Sequence, residues 1–224
     1  MEHELNKAVI ANITIPEDTA KIFAKASHRF EEIMMMYQCA IQEVTTKLEV
    51  LSREMSVRNN RNPIETIKYR IKKPISIAEK LTRNGHEVTV DSITQHLNDV
   101  AGVRVICSFI GDIYTIAKML TSQDDIHLLK VKDYIKTPKE NGYRSYHMII
   151  EIPVFFSDRK QYMRVEVQIR TMAMDFWASL EHQVRYKKNI PNTEEISMRL
   201  KKCAEIIAET DAEMLNIAQE INIV

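Results

Sequence analysis

The sequence predicts an α/β (α+β) fold, in which a mixed central sheet of about five strands is flanked by helices. Stretches with apolar residues at helical spacing lie towards both ends of the chain, over residues 30–55 and 200–221. Between them, short β-branched runs alternate apolar and polar residues and are separated by polar loops, a pattern typical of strands. The chain has 224 residues and no obvious linker, so we expect a single domain.

The first helix is expected to follow Thr14, which has capping-box spacing to Glu17 with Pro16 between them. A final helix is expected from the cap Thr193, after Pro191. Both helices carry apolar residues at alternating steps of three and four, a heptad pattern suited to packing on another helix or on a second subunit. These residues are Phe30, Met34, Tyr37, Ile41, Val44, Leu48, Leu51 and Met55 in the first helix, and Leu200, Cys203, Ile207, Met214, Ile217 and Ile221 in the last.

The middle of the chain predicts four strands and several shorter helices. The two strands nearest the C-terminus are joined by a short link and are expected to form an antiparallel hairpin. In chain order we predict a helix after Pro74, a short helix from near Ser92 that closes at Asp99, a strand over 103–109, a helix capped by Asp112 that runs to about Leu120, strands over 126–131, 144–152 and 161–170, and a helix capped by Thr171 that runs to about Lys187.

Glycine is scarce, and this excludes several ways of binding nucleotides. A P-loop needs Gly-x-x-x-x-Gly-Lys, and a dinucleotide fold or kinase lid needs Gly-x-Gly-x-x-Gly. Neither spacing occurs among the four glycines, so any phosphates must be held by side chains. The glycines are Gly85, Gly102, Gly111 and Gly142.

Charge and hydropathy exclude other classes of protein. Lys plus Arg and Asp plus Glu both number 31, and this zero net charge argues against a dedicated DNA-binding protein. No apolar run approaches the ~18 residues of a membrane span, and the N-terminus lacks a signal-peptide pattern. The three cysteines form no Cys-x-x-Cys pair, so we expect buried free thiols in a reducing cytoplasm. They are Cys39, Cys107 and Cys203.

Two of the predicted strands place polar side chains on what should be one shared face. Alternation along 161–170 puts Glu166 and Gln168 on the face opposite the valines. If the strand over 144–152 pairs with it, His147 stands beside Glu166. An ordinary solvent-facing stripe is one interpretation. The polar residues on both strands favour the other, the floor of a polar site.

Asp99 and Arg104 flank the start of the strand over 103–109. A charged side chain at the position of Arg104 needs a partner or a ligand, and one interpretation is an internal Asp99–Arg104 salt bridge. The alternative is that Asp99 and Glu166 together hold a divalent cation. Mg²⁺ is typically bound by one or two carboxylates plus substrate phosphates. Zinc is disfavoured because no Cys/His cluster has ligand spacing.

Two basic runs flank these carboxylates in the sequence. Residues 58–83 carry eight Lys/Arg and two acids, and residues 130–144 carry five against two. A basic run is usually a solvated face, but two runs around a two-carboxylate site suggest two polyphosphate-binding arms. Tyr143 follows Gly142 at a loop corner, where it is either a platform for a nucleotide base or a core tyrosine.

Several blocks in this order resemble the synthetase domain of the RelA/SpoT family, over about Asn62 to Tyr186. The length resembles a stand-alone small alarmone synthetase, with a nucleotidyltransferase-like synthetase fold. The resemblance implies a synthetase core over 62–188, a helical extension over 1–61 and a C-terminal helix over 189–224, with no hydrolase or regulatory domain. The blocks run from Arg70 to Lys80, Asp99 to Arg104, Asn141 to His147, Glu166 to Thr171 and Phe176 to His182.

The resemblance implies transfer of the ATP β,γ-pyrophosphate to the ribose 3′-hydroxyl of GDP or GTP, with AMP and ppGpp or pppGpp as products. Asp99 and Glu166 would be the catalytic residues and the Mg²⁺ ligands, with Glu166 either on the metal or acting as general base. Asp175 stands near the implied acceptor site, where some members have Asn. The implied ATP-binding residues are Arg70, Lys72, Ser76, Lys80, Arg83 and Arg104, and the implied GDP- or GTP-binding residues are Lys132, Lys139, Asn141, Tyr143, His147 and Gln168.

Two other functions are weighed against this one. A template-independent nucleotidyltransferase would release pyrophosphate, but its usual Gly-Ser followed by Asp-x-Asp is absent. A non-catalytic RNA-binding module would use the basic runs without turning over nucleotides. The resemblance also implies a homo-oligomer, with a tetramer favoured, built through the terminal helices. Single-stranded RNA, bound by some members, stays undecided.

Overall fold

The computed structural model describes residues 17–58, 61–186 and 193–222. The caps predicted at Thr14 and Pro16, Pro191, and the predicted helix end at Lys187 lie outside these residues. The elements in chain order are α1 (Glu17–Arg58), β1 (Ile64–Ile71), α2 (Pro74–Arg83), α3 (Val90–His96), β2 (Ala101–Cys107), α4 (Ile110–Thr121), β3 (His127–Asp133), β4 (Tyr146–Phe155), β5 (Lys160–Thr171), α5 (Met172–Tyr186) and α6 (Thr193–Glu220).

The five strands form one mixed sheet in the order β1-β2-β5-β4-β3. Strands β2 and β5 are parallel, and every other neighbouring pair is antiparallel. The sheet and its flanking helices confirm the predicted α/β class, and the β4–β5 hairpin confirms the predicted pairing. None of the helices in the described ranges is both long enough and apolar enough to cross a membrane.

Alternation along the central strands separates an apolar face of the sheet from a polar one. Met148, Ile150 and Ile152 of β4 are almost fully buried, as the sequence predicted. The neighbouring apolar positions of β2 and β5 are buried with them. These positions are Val103, Val105, Val165, Val167 and Ile169. Most of the intervening polar residues, among them Arg104, His147, Glu166 and Gln168, are only half-buried and therefore remain available for a site, whereas Arg170 is buried.

Strand β1 was missed by the sequence prediction, which treated residues 58–83 as a basic arm. The reason is that β1 is an edge strand, and Ile64 is its single buried residue. It pairs with β2 from Ile64 to Ile71. Ile67, Tyr69 and Ile71 alternate with Lys68 and Arg70, but the prediction interpreted this stretch as a run of charge. Two of the basic side chains of this segment, those of Lys68 and Arg70, are therefore fixed on the sheet.

Contacts divide the chain into two units, Met1–Met35 and Met36–Val224. The described part of the first unit is helical, the beginning of α1. In the second unit, the predicted stripe of α1 is buried from Tyr37 to Met55, and Lys47 Nζ donates to Asp125 Oδ1 at 2.9 Å. A single synthetase domain over 1–224 stays a prediction.

Helix α4 begins three residues earlier than predicted. The sequence placed Asp112 at its N-cap, whereas Asp112 lies within the first turn. Its carboxylate accepts from the backbone N–H of Phe109 at 3.1 Å and from the Arg61 guanidinium. The first backbone N–H groups of a helix have no partner within the helix. A carboxylate in the first turn can accept from them just as a carboxylate at the N-cap can, so the sequence does not distinguish the two positions.

Helix α6 packs on the rest of the domain through residues outside the stripe predicted for another helix or a second subunit. Ala204, Asp211 and Ala218 are buried, whereas Met214, Ile217 and Ile221 are exposed. Small side chains let the helix approach the rest of the domain closely, and this displaces the larger apolar residues outwards. The predicted burial of the cysteines is correct for Cys107 alone, because Cys39 is half-buried and Cys203 lies on the exposed side of α6.

Candidate active site

The polar face of the sheet brings most of the predicted site residues together. Strand pairing aligns their Cα atoms in two adjacent rows that cross all five strands. The pairing therefore unites residues that are up to about a hundred positions apart in the chain. One row is Arg70, Gly102, Glu166, Ile149 and Lys130, and the other is Lys68, Arg104, Gln168, His147 and Lys132.

Asp99 lies just before β2, at the edge of these rows. Lys72 Nζ and Lys80 Nζ donate to its Oδ2 at 2.9 and 2.7 Å. Burial alone would raise the pKa of Asp99, but the two lysines hold that pKa below its ordinary value. The carboxylate is therefore ionised at neutral pH. Its second oxygen, Oδ1, is buried and has no hydrogen-bond partner among the described residues.

Arg104 does not pair with Asp99, so the structure contradicts the internal salt bridge considered from the sequence. Arg104 Nη1 instead donates to Asp175 Oδ1 at 3.2 Å. The reason is geometric. Side chains at alternate positions of β2 share one face, so Arg104 lies on the polar face, and Asp175 reaches that face from α5. Burial, together with the nearby charge of Arg170, lowers the pKa of Arg104.

Glu166 is held between His147 and Gln168, as the alternation of the two strands predicted. Gln168 Nε2 donates to Glu166 Oε2 at 2.8 Å, and His147 Nδ1 lies 3.6 Å from Oε1. Burial would raise the pKa of Glu166, but the interactions with His147 and Gln168 keep it below its ordinary value. The carboxylate is therefore ionised and its orientation is fixed from both sides.

Asp175, at the start of α5, joins three cations from three strands. It accepts from Lys68 Nζ at 3.1 Å, and from Arg104 Nη1 and Arg170 Nη1 at 3.2 Å each. Burial opposes ionisation of Asp175, yet these cations keep its pKa low. Sequence reasoning noted the position of Asp175 but missed this role, and it gave Arg170 no role. Both residues are far in sequence from Lys68 on β1 and Arg104 on β2, so no local pattern indicates that these side chains meet.

Tyr143 lies on the loop between β3 and β4 and points its hydroxyl into the same network. The hydroxyl interacts with Arg170 and lies 2.8 Å from His147 Nε2. Lys139 Nζ lies 4.9 Å from the Tyr143 ring centre, within cation–π range. The loop therefore presents an aromatic ring beside cations at the edge of the polar face.

Two clefts open onto this face and share Glu166. One is lined by residues of β1, β2 and β5, including Arg70, Gly102 and Arg104. The other contains both predicted catalytic carboxylates. Its lining residues are Lys80, His96, Asn98, Asp99, Lys130, Lys132, His147, Ile149 and Glu166. Among the described residues, no cluster of three or more His, Cys, Asp or Glu forms a metal cage. A metal ion here would therefore also need ligands from the substrate.

Some predicted site residues lie outside these cleft linings, and some lining residues were missed. Ser76 and Arg83 lie on α2 away from the lining, and Asn141 shapes the loop by accepting from the Tyr143 backbone N–H at 3.2 Å. The sequence missed His96, Asn98 and Lys130. His96 and Asn98 closely precede Asp99. Lys130 lies two residues before Lys132 on β3, so strand alternation in the sequence indicates that the two lysines share a face.

Comparison with known proteins identifies the family that this chain resembles. A family model described as a region found in RelA / SpoT proteins matches residues 69–191. The chain is 46% identical over 189 residues to the GTP pyrophosphokinase YwaC of Bacillus subtilis (strain 168), covering 84% of this chain and 90% of that protein.

Solved structures agree with this match. Small alarmone synthetase 2 from Bacillus subtilis superposes with a TM-score of 0.76 at 44% identity, covering 85% of this chain and 98% of that one. Small alarmone synthetase 1 from Bacillus subtilis, bound to its product pppGpp, gives 0.78 at 34% identity, covering 87% and 99%. The chain belongs to the RelA/SpoT family and groups with its small alarmone synthetases.

Proposed function

We propose that this chain is a GTP pyrophosphokinase, which transfers the β,γ-pyrophosphate of ATP to the ribose 3′-hydroxyl of GDP or GTP. The products are AMP and the alarmone ppGpp or pppGpp. The observation that carries the proposal is the cleft in which Asp99 and Glu166 face one another among lysines and histidines. The match to a GTP pyrophosphokinase over most of both chains supports the same activity.

The lysines around Asp99 suit the triphosphate of ATP. Lys72 and Lys80 neutralise Asp99 in the absence of substrate. ATP phosphates would bring more negative charge to the same ammonium groups. Each lysine has three donors, so it can contact a phosphate and the carboxylate together. Ser76 and Arg83, on the same helix as Lys80, would bind the outer phosphates.

The adenine base would lie between Arg70 and Arg104. Gly102, which pairs with Arg70, adds no side chain to this space, where a Cβ would be in van der Waals contact with Arg70 Cγ at 3.5 Å. Arg104 Nε is buried without a hydrogen-bond partner in the described part of the chain. Two guanidinium planes on opposite sides of a base would bind it by cation–π contact.

The residues present fit the Mg²⁺ that the family implies. Asp99 Oδ1 is a buried oxygen without a partner among the described residues, and the Glu166 carboxylate lines the same cleft. Two ionised carboxylates plus substrate phosphates form the oxygen-rich ligand set that Mg²⁺ prefers. Asp99 and Glu166 would hold the ion, which when bound supplies positive charge to the ATP phosphates.

Glu166 also has the properties of a general base for the acceptor hydroxyl. Its contacts with His147 and Gln168 fix the orientation of the carboxylate and keep it ionised, so that it can accept a proton in the cleft it lines. In the proposed step, Glu166 takes the 3′-hydroxyl proton while O3′ bonds to the β-phosphorus of ATP. The bond from that phosphorus to the α–β bridging oxygen breaks, and AMP leaves with the bond electrons.

The acceptor nucleotide would bind along the β3–β4 side of the face. Tyr143 would stack on guanine, while Lys132, His147 and Gln168 contact the ribose and phosphates. Lys139 lies against both Tyr134 and Tyr143, and Asn141 holds the loop shape. The match to a GTP pyrophosphokinase over most of both chains favours pyrophosphate transfer over a nucleotidyltransferase that releases pyrophosphate, or a non-catalytic RNA-binding module.

We also propose that the protein forms a homo-oligomer, with a tetramer favoured, through its terminal helices. The exposed side of α6 carries Met214, Ile217 and Ile221 in line, with exposed fractions of 53%, 43% and 60%. An apolar stripe at this spacing is typical of a helix that packs on a partner helix. A second copy of the same chain supplies such a helix.

Replacing Glu166 with Gln should remove the base but preserve the shape of the site. With ATP, GTP and Mg²⁺, the unchanged protein should give AMP and guanosine pentaphosphate by ion-exchange chromatography. Glu166→Gln should lower kcat by ~10²–10⁴-fold, the range of general-base catalysis, while ATP binding measured by calorimetry changes little. Formation of only ADP or only pyrophosphate by the unchanged protein would contradict the function. Near-normal turnover of the variant would contradict the role of Glu166.

Replacing Tyr143 with Ala should weaken the guanine nucleotide selectively. Loss of a base–aromatic stack is worth ~1–3 kcal/mol, so the KM for GTP should rise roughly 5- to 150-fold. The KM for ATP serves as the internal control and should stay within about twofold. Tyr143→Phe is the matched variant and should retain most of the GTP affinity, because it keeps the ring. An equal rise in both KM values would refute stacking on guanine.

Introducing a charge into the exposed stripe of α6 should disrupt the oligomer. Light scattering on the unchanged protein should give a mass near four chains, and Ile217→Glu should shift it towards one or two chains, because carboxylates cannot be buried unpaired in a helix interface. Glu209→Gln, at an exposed polar position of the same helix, is the control and should keep the oligomer. A monomeric unchanged protein would refute the proposal, as would an Ile217→Glu variant of unchanged mass.

A further inference from the structure

The loop that carries Tyr143 rests directly against helix α6. Gly142 has a backbone φ of +88°, and a Cβ added there would lie 2.6 Å from the Cβ of Ala204. The backbone of Lys201 is also close, with its Cα 3.6 Å from the same point. Carbon atoms in ordinary contact stay about 3.5–4 Å apart, so only a glycine fits this corner beside α6.

A single guanidinium ties the loop to the helix at that corner. Arg144 Nη1 donates to the carbonyl of Gly142 at 3.3 Å and to the carbonyl of Ala204 at 3.2 Å. The loop is closed on itself by the Gly142 N–H, which donates to the Lys139 carbonyl at 2.8 Å. Tyr143 therefore follows a corner whose position is set from two sides, by its own turn and by α6.

Helix α6 is itself anchored close to the catalytic strand. Thr171 Oγ1, one residue beyond Arg170 on β5, donates to Asp211 Oδ2 at 2.6 Å. Trp177 Nε1 of α5 donates to the Leu200 carbonyl at 2.9 Å. These two bonds fix α6 on both sides of Ala204, so the helix is a firm support for the loop.

We propose that α6 positions the loop that carries Tyr143 and that Ala204 is the positioning residue. The small side chain of Ala204 sets how far the Gly142 corner, and with it Tyr143, lies from the sheet. The inference rests on the proposed stacking of Tyr143 on guanine. It adds a determinant of acceptor affinity that lies outside both clefts. The proposed ATP contacts are on β1, α2 and β2, so displacing α6 should weaken GTP and leave ATP unaffected.

The test is a rescue experiment at this contact. Gly142→Ala should raise the KM for GTP about tenfold or more, because its Cβ meets Ala204, while the KM for ATP stays within about twofold. Adding Ala204→Gly removes the opposing Cβ and should recover at least about threefold of the GTP affinity. Recovery is partial because Ala remains strained at a positive φ. The matched control adds Glu205→Gly, which loosens α6 equally at an exposed position and should recover nothing.

Ala204→Val keeps Gly142 and its backbone conformation, so it tests the same contact if Gly142→Ala does not fold. It should raise the KM for GTP selectively, whereas Cys203→Val, at the exposed neighbouring position, should not. Equal changes in both KM values, or rescue by Glu205→Gly as large as by Ala204→Gly, would overturn the positioning role. A Tyr143→Ala variant with unchanged GTP affinity would instead overturn the stacking on which the inference rests.

Discussion

The site depends on one constraint, which is that three half-buried or buried carboxylates and their cations share a single face of a sheet. Asp99, Glu166 and Asp175 are each held ionised against the effect of burial by positive or hydrogen-bonding groups. An isolated charge in such surroundings is strongly unfavourable, and removing one member of a buried pair leaves the other uncompensated. The pairs therefore preserve the site in the absence of nucleotides.

In the proposed mechanism, nucleotide binding would be an exchange of partners. Lys72 and Lys80 pair with Asp99, whose Oδ1 has no hydrogen bond from the described residues. The substrate would bring both negative charge for the lysines and oxygens that complete a cation site. Binding would thus replace internal pairs with equivalent ones, so the charges would not have to be desolvated alone.

Asp175 links the two proposed nucleotide subsites. It holds Arg104, the proposed adenine contact, and Arg170, which interacts with the Tyr143 hydroxyl next to the proposed guanine site. From Tyr143, the network continues through His147 to Glu166. In the proposed mechanism, the orientation of the base, the adenine clamp and the acceptor platform would therefore depend on a common set of charge pairs.

Local sequence signals predicted part of this structure. Alternation on β4 and β5 placed His147 beside Glu166, because side-chain direction in a strand follows from residue parity alone. Strand β1 escaped prediction, since its alternating Ile67, Tyr69 and Ile71 lie among cations that were interpreted as a basic arm, and this edge strand buries one residue. The face through which α6 packs on the domain was not predicted, because the close approach of Ala204 to Gly142 depends on a loop sixty residues away. Likewise, the pairing of Asp175 with Arg104 and Lys68 requires the register of the whole sheet.

The most direct test of this account is the effect of Asp175→Asn on both substrates. The amide keeps the shape and one acceptor oxygen but leaves Lys68, Arg104 and the buried Arg170 without their shared charge. If the charge pairs hold both subsites, the KM values for ATP and for GTP should each rise at least about fivefold in a protein whose circular dichroism is unchanged. A folded variant in which the KM for either nucleotide is unaltered would contradict the account.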